Sequence, residues 1–312
     1  MQQIYLDNQA TTPLDPKVFS AMEPWFTEKF GNASSRNHTY GWEAEEAVEI
    51  ARESVAATIG ALPKEIIFTS GATEANNIAL QGAAKSYQDQ GRHIITVKTE
   101  HKAVMDVCQH LSKDGFDITY LPVDKDGILD LNKFEDAIRD DTILASVMHV
   151  NNEIGVIQPI KELGAICKNK GIIFHVDAAQ SMGKLSINVD DMGIDLLSIS
   201  AHKLYGPKGV GALYVRRKNP RVQLQPIMFG GGHERGIRSG TLPVPNIVGL
   251  GKACDIAADV MIEQNLRISQ LRDSLLRGIR AENPNASING SMEHRVAGNL
   301  NMSFPGANNE AI

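Results

Sequence analysis

A lysine between two short apolar segments is the first residue of this chain that could do covalent chemistry. Lys203 follows Ser200 and His202 in a loop flanked by the apolar runs 196–200 and 211–215. Both runs are short and uninterrupted, as strands buried in a sheet are. A buried lysine costs desolvation free energy unless its charge or its amine is used. An isolated lysine more often extends its amine to water. A chemical role for Lys203 therefore requires partner groups elsewhere in the chain.

Polar residues follow other predicted strands where those strands end. Ala72 and Thr73 lie where one strand ends and a helix opens, which suits a phosphate, although an ordinary helix cap has the same pattern. Asn152 follows a second strand, and Asp177 and Gln180 follow a third. A buried carboxylate needs a cationic partner or several hydrogen-bond donors. The cation could be a basic side chain in a salt bridge or the protonated ring nitrogen of a cofactor.

His101 follows a further strand and could lie flat over a ring or shuttle protons, with a helix-cap histidine as the alternative. In a parallel α/β sheet, ligands bind at the carboxyl ends of the strands. The candidates together supply a phosphate-binding site, a histidine that can stack on a ring, a carboxylate for a pyridinium nitrogen and a lysine for a Schiff base. Pyridoxal phosphate requires that set, and the sequence therefore predicts this cofactor.

The other histidines and the cysteines are expected to be structural. His149 and His175 lie inside predicted strands and are interpreted as core histidines. Cys108, Cys167 and Cys254 have apolar neighbours at helical spacing, which predicts buried, inert thiols. An odd number of cysteines without C-x-x-C spacing indicates a reducing compartment and predicts neither disulfides nor a metal site.

Composition restricts the partners of the chain. Its 312 residues include 37 acidic and 31 basic side chains, and the net charge of −6 argues against general binding to nucleic acid or to an anionic membrane. No apolar run reaches the roughly 18 residues that span a bilayer, and the N-terminus does not resemble a signal peptide. We expect a soluble, cytoplasmic protein with no membrane partner.

Strands and helices are predicted to alternate along the chain. The predicted strands are residues 65–69, 93–99, 116–123, 142–150, 172–176, 196–200 and 211–215. The predicted helices are residues 42–60, 102–113, 132–140, 160–170 and 245–282, with one more that passes through residues 75–83 and stops by residue 91. This alternation predicts an α/β fold with a mainly parallel sheet covered by helices.

The predicted organisation has three parts. Residues 1–15 form an extended polar arm, 16–258 a large cofactor-binding domain, and 259–312 the start of a small C-terminal α+β domain. Within the last part we expect a strand at 299–304 and the start of a helix at 309–312. A domain that ended there would be incomplete.

Eight motifs occur in order along the chain: Y-L-D-N-Q-A-T-T-P, F-G-N-A-S-S, F-T-S-G-A-T-E-A-N-N, T-E-H-K-A-V, H-V-N-N-E-I-G, H-V-D-A-A-Q, S-A-H-K-L-Y-G-P-K-G-V-G and G-G-G-H-E-R-G-I-R-S-G-T. In these motifs the chain closely resembles the cysteine desulfurases of the IscS/NifS type, and most of all their housekeeping iron–sulfur-cluster subgroup. The resemblance implies fold type I of the pyridoxal-phosphate-dependent transferases and a homodimer.

The resemblance also implies roles for the residues around the ring of pyridoxal 5′-phosphate. Lys203 is expected to form the Schiff base and, once freed by the substrate, to move the proton at Cα. His101 would stack on the ring, and Asp177 would hold the ring nitrogen. Gln180 and Asn152 would lie near the ring hydroxyl.

A second group of residues is implied for the phosphate of the cofactor. Ala72, Thr73, Ser200 and His202 would hold the phosphate within one subunit. Thr241 would reach the phosphate of the neighbouring subunit.

The activity implied by the resemblance converts L-cysteine to L-alanine and passes the sulfur on as a persulfide. Sulfur acceptors and iron–sulfur scaffold proteins are the implied protein partners. The nucleophilic cysteine of the family lies in an S-G-S-A-C-type loop that this sequence does not contain, and the arginine that grips the substrate carboxylate is absent too. Our expectation is that the chain ends before both.

Two other interpretations are kept open. One is a relative that acts on another amino acid, such as a selenocysteine lyase or an aminotransferase. The other is a truncated, non-catalytic dimer that binds pyridoxal phosphate.

Overall fold

A seven-stranded sheet forms the centre of the computed structural model, which describes residues 3–308. Its strands are β1 Ile66–Thr69, β2 His93–Val97, β3 Asp117–Leu121, β4 Thr142–Met148, β5 Ile173–Asp177, β6 Leu196–Ser200 and β7 Gly211–Val215. The strand order is β1-β7-β6-β5-β4-β2-β3.

β7 is the strand that makes this sheet mixed. It pairs antiparallel with both β6 and β1, whereas the pairs β5–β6, β4–β5, β2–β4 and β2–β3 are parallel. Every strand of the sheet except β7 therefore points the same way, and the prediction of a mainly parallel sheet is confirmed. Gly211 at the start of β7 lies opposite Thr69 on one side and Ser200 on the other. This register brings the loop after β1 beside the loop after β6.

Helices cover both faces of the sheet. They are α1 Pro16–Met22, α2 Pro24–Thr27, α3 Thr39–Thr58, α4 Ala72–Tyr87, α5 Lys102–Lys113, α6 Leu131–Asp136, α7 Ile160–Lys170 and α8 Val244–Glu282. Alternate residues of β1 show the two faces: Ile66 and Phe68 belong to one buried cluster and Ile67 to the other. This period of two arises because successive strand side chains point to opposite sides.

Most predicted elements are confirmed, with shifted ends. The largest shift is in α6, which stops at Asp136 although a helix is predicted to residue 140. The Arg139 N–H donates to Thr142 Oγ1 at 2.8 Å, and this local bond turns the chain into β4 instead of continuing the helix.

The C-terminal part has little regular structure beyond α8. A two-stranded antiparallel sheet pairs β8 Ser287–Ile288 with β9 Met302–Ser303, which is shorter than the predicted strand at 299–304. The predicted domain boundary between residues 258 and 259 falls inside α8, and that division stays a prediction. The helix start predicted at 309–312 lies outside the described residues. No helix within residues 3–308 has the length and apolarity needed to cross a bilayer.

Candidate active site

A cavity of about 670 Å³ opens at the carboxyl edge of the sheet, where the strand-end loops meet. The sequence-predicted site residues that line it are Ala72, Thr73, His101, Asn152, Asp177, Gln180, Ser200, His202 and Lys203. Thr241 is also a predicted site residue, but it is not among the described residues that line the cavity.

Lys203 ends a short 3₁₀ turn that follows β6 directly. Its Nζ donates a hydrogen bond to the main-chain carbonyl of Gln9, in the N-terminal arm. Burial lowers the pKa of the Lys203 amine, and the negative charges of Asp177, Asp7 and Glu153 offset only part of that effect. A lysine with a lowered pKa has more of the neutral amine that attacks a carbonyl carbon.

Asp177 is a buried carboxylate at the end of β5, with 5% of its surface exposed. Its Oδ2 accepts from Asn76 Nδ2 at 2.8 Å, and its Oδ1 accepts from the Ala179 N–H at 2.9 Å. Burial raises the pKa of Asp177 despite these donors. Within residues 3–308 no basic side chain forms an ion pair with it. A cation bound in the cavity would supply the missing positive charge.

His101 caps α5 as well as lining the cavity. Its Nδ1 accepts from the Ala103 N–H at 3.1 Å, so in the neutral ring the proton is on Nε2. His101 is therefore a helix cap, as the alternative interpretation expects, and it also lines the cavity. The capping bond fixes the orientation of its ring at the cavity wall.

The N-terminus of α4 forms another wall of the cavity. Gly71 has a φ of 149°, and a Cβ added there would meet only Ser200 Oγ, at 4.0 Å. No side chain caps this end of the helix, and the first turn begins with Ala72 and Thr73. Their N–H groups are unbonded to any acceptor described in residues 3–308, which is the donor set that a phosphate accepts from.

His202 and Gln180 are held by residues that flank the cavity. His202 Nδ1 lies 3.0 Å from Thr11 Oγ1. Gln180 Nε2 donates to the Gln9 carbonyl at 2.8 Å, while its Oε1 accepts from Lys184 Nζ at 3.1 Å. Because an ammonium group only donates, Lys184 orients the Gln180 amide with its NH₂ away from the lysine.

Asn152 and Thr241 are less enclosed. Asn152 Nδ2 donates to Glu153 Oε1 at 2.8 Å. Thr241 is exposed, in the segment that enters α8.

The residues predicted to be structural are buried as expected. His175 lies 2.8 Å from Ser146 Oγ and 3.0 Å from Ser198 Oγ, and burial lowers its pKa to about 3. Burial lowers the pKa of His149 to about 4. The thiols of Cys108, Cys167 and Cys254 are all buried and line no part of the cavity. Burial raises the pKa of Cys108 and of Cys254 to about 12 and that of Cys167 well above its ordinary value.

Comparison with known proteins places the chain in a family. Residues 4–312 match the family model described as aminotransferase class-V. Two curated relatives, both described as cysteine desulfurase IscS, are 57% identical over 309 residues (Ehrlichia chaffeensis) and 58% identical over 311 residues (Tolumonas auensis). The matches cover 99% of this chain and 75% and 76% of those relatives. The chain belongs to the cysteine desulfurases of the class-V aminotransferase family.

Solved structures of similar proteins share the fold. A NifS-like protein superposes with a TM-score of 0.94 at 41% identity, over 98% of this chain and 83% of that chain. A structure described as SspA in complex with cysteine superposes with a TM-score of 0.87 at 41% identity, over 99% of this chain and 85% of that chain. This cysteine desulfurase has fold type I, and its cofactor is pyridoxal 5′-phosphate.

The cavity of this cysteine desulfurase fits that cofactor. The carboxylate of Asp177 has no basic side chain paired with it among the described residues and suits a protonated ring nitrogen. The N–H groups of Ala72 and Thr73 suit a phosphate, and Lys203 supplies an amine.

Two residues of this desulfurase site, Asn76 and Gln9, are not identified from the sequence. Asn76 is fully buried and donates to Asp177. The sequence does mark Asn76 as unusual, because asparagine is unfavourable inside a helix and the motif F-T-S-G-A-T-E-A-N-N contains two in succession. Gln9 meets Lys203 and Gln180 through its main-chain carbonyl, which no side-chain pattern reveals.

Proposed function

We propose that this chain binds pyridoxal 5′-phosphate at Lys203 and acts on L-cysteine as a cysteine desulfurase. The observation that carries the proposal is that an amine with a lowered pKa, Lys203, shares one cavity with Asp177, a buried carboxylate that forms no ion pair among the described residues. The curated relatives described as cysteine desulfurases and the neighbour described in complex with cysteine support cysteine as the substrate.

The proposed roles of the residues follow from their positions. When bound, the cofactor supplies an electron-accepting ring that stabilises negative charge at the substrate Cα. Asp177 keeps a proton on the ring nitrogen, and His101 packs against the ring. Lys203 moves the proton at Cα. Gln180 and Asn152 lie near the ring hydroxyl.

At the other end of the cofactor, Ala72, Thr73, Ser200 and His202 hold the phosphate, with the N–H groups of the α4 terminus as donors.

The proposed reaction transfers sulfur from carbon to a thiolate. The C–S bond of cysteine breaks, a bond between the two sulfurs forms, and the thiol proton of the substrate reaches carbon to complete alanine. The thiolate becomes a persulfide. The buried thiols of Cys108, Cys167 and Cys254 have raised pKa values and line no part of the cavity, and none of them is proposed as that thiolate.

Reductive trapping of the cofactor tests the proposal. Borohydride added to the protein with bound pyridoxal phosphate should fix the cofactor to the peptide that contains Lys203. Two other lysines serve as controls. Burial lowers the pKa of Lys184 to about 8, and Lys208 lines the cavity. A label on either control lysine would refute the assignment. Alanine release from cysteine under a thiol reductant distinguishes a desulfurase from an aminotransferase or a selenocysteine lyase.

A homodimer is the proposed assembly, in which Thr241 completes the phosphate-binding site of the neighbouring subunit. Two observations support it: Thr241 is exposed and does not line its own cavity, and Phe26, Phe30 and Trp42 are exposed apolar side chains. Iron–sulfur scaffold and sulfur-acceptor proteins are the proposed partners, in the cytoplasm.

Mixed dimers of a Thr241→Ala subunit and a Lys203→Ala subunit test the assembly. If Thr241 acts on the neighbour, one site of the mixed dimer is intact and the other combines both defects. At a free cofactor concentration that fills only sites of wild-type affinity, borohydride should then trap about one cofactor per mixed dimer. If Thr241 serves its own subunit, no site of wild-type affinity forms.

A further inference from the structure

An acidic side chain lies in the part of the cavity that we assign to the phosphate. Glu74 lines the cavity in the first turn of α4, directly after Thr73. Its Oε2 accepts from the Ser70 N–H at 2.6 Å. This bond holds the loop after β1 and leaves the next amides of the helix terminus without a side-chain partner.

Glu74 is paired with an arginine from a distant segment. Arg238 Nε lies 2.7 Å from Glu74 Oε1, and Arg238 Nη2 lies 3.4 Å from Glu74 Oε2. The two side chains are 12% and 15% exposed, so the pair is largely shielded from solvent. Arg238 itself lines no part of the cavity among the described residues, whereas Glu74, to which it donates, does.

The charge on Glu74 opposes the proposed ligand. Burial raises the pKa of Glu74, but hydrogen bonds from Arg238 and Ser70 outweigh burial and leave the pKa below its ordinary value. An ionised carboxylate at a helix N-terminus is favourable by itself. Next to a phosphate it is a like charge, and in a partly desolvated site that repulsion is screened weakly.

We propose that Arg238 is a positioning residue for the phosphate of the cofactor. Its guanidinium neutralises Glu74, so that Glu74 can fix the Ser70 loop without repelling the phosphate. The inference rests on the proposed binding of pyridoxal phosphate. Arg238 touches neither cofactor nor substrate, and it acts through Glu74.

The test compares two ligands that differ only in the phosphate. Dissociation constants for pyridoxal phosphate and for pyridoxal are measured by absorbance with the wild type, Arg238→Gln, Glu74→Gln and the double variant. In Arg238→Gln the affinity for pyridoxal phosphate should fall about tenfold, since the phosphate then faces the uncompensated carboxylate of Glu74. The affinity for pyridoxal should change less than about twofold, because it carries no phosphate charge.

The double variant separates charge from structure. It removes both charges and should bind pyridoxal phosphate more tightly than Arg238→Gln does, and Arg238→Lys should retain most of the wild-type affinity. Equal weakening toward both ligands, or no recovery in the double variant, would show that Arg238 only supports the loop and would overturn the proposal.

Glu74→Gln keeps the proposal testable if Arg238→Gln does not fold. Its affinity for pyridoxal phosphate should equal or exceed that of the wild type, and a loss specific to the phosphate ligand would overturn the proposal. Failure of the proposed function is recognisable separately, because the wild type would then trap no cofactor at Lys203.

Discussion

Asn76 Nδ2 donates to Asp177 Oδ2 at 2.8 Å, and the two residues are 101 positions apart in the sequence. Both side chains are buried, and the other polar atom of the asparagine, Oδ1, has no hydrogen-bond partner in residues 3–308. An unpaired buried acceptor is costly. This cost to the stability of the cofactor-free protein accompanies the position that we propose for a charged ligand beside Asp177.

Asp177→Asn should stabilise the cofactor-free protein and abolish cofactor retention. Burial raises the pKa of Asp177, so stability is lost as the pH rises from its unfolded-state pKa of about 3.9 through the folded-state pKa. The amide avoids this loss at pH 7. Its NH₂ can also donate to Asn76 Oδ1 after that amide rotates.

Urea unfolding at pH 7 and at low pH checks this expectation, with cofactor content measured in parallel. The gain should be present at pH 7 and shrink where Asp177 is protonated in both states. A variant that is less stable at pH 7, or that keeps the cofactor as the wild type does, contradicts the role given to Asp177.

Lys184→Met should weaken cofactor binding several-fold while stabilising the cofactor-free protein. Burial, followed by the charge of Lys203, lowers the pKa of Lys184 to about 8. The charged amine therefore costs folding free energy at pH 7, roughly 1–3 kcal/mol, and this cost disappears as the pH rises toward the unfolded-state pKa of about 10.4. Binding weakens because Gln180 loses the donor that orients its amide.

Lys170→Met is the matched control, since that lysine pairs with Glu135 at the surface. It should change neither cofactor affinity nor stability by a measurable amount. If Lys184→Met binds the cofactor as tightly as the control does, the orientation of Gln180 does not depend on Lys184.

Glu234→Gln should destabilise the protein by about 3 kcal/mol. Arg52 donates to both carboxylate oxygens of Glu234 at 2.8 Å, and both side chains are less than 5% exposed. The substitution leaves the buried Arg52 charge with one acidic partner among the described residues, Glu49, whose side chain is 53% exposed. Urea unfolding should give less than about 1 kcal/mol for Glu49→Gln, and similar losses for the two variants would show that burial of the pair is unimportant.

The chain of 312 residues should release no sulfide from cysteine with any of its own thiols as the acceptor. Cys108, Cys167 and Cys254 are buried, and a thiol with a raised pKa forms little thiolate at neutral pH. Sulfide assays on this chain and on its triple Cys→Ser variant should agree. Turnover that the triple variant lacks would identify one of them as a nucleophile.

Thiol labelling provides an independent check of the same residues. All three cysteines should react slowly in the folded protein and rapidly in urea. Rapid reaction of one cysteine in the folded state would contradict its assignment to the core.

Local signals account for the elements whose ends were predicted correctly. α5 and α7 begin and end at the predicted residues. The Nδ1 of His101 caps α5, and Gly171 closes α7 with a φ of 70°. α6 was predicted too long, since its end depends on a hydrogen bond from Arg139 to Thr142 that hydrophobic periodicity does not show.

The sequence by itself determined the fold class, the cofactor and the placement of Lys203 and Asp177 at strand ends, because periodicity and motif order are local and read along the chain. Only the tertiary structure decided how these ends meet. β7 inserts antiparallel between β1 and β6 and sets the α4 terminus beside Lys203. The contacts of Asn76 with Asp177 and of Arg238 with Glu74 join residues 101 and 164 positions apart. Such pairs depend on how helices pack across the sheet, and no short-range pattern specifies them.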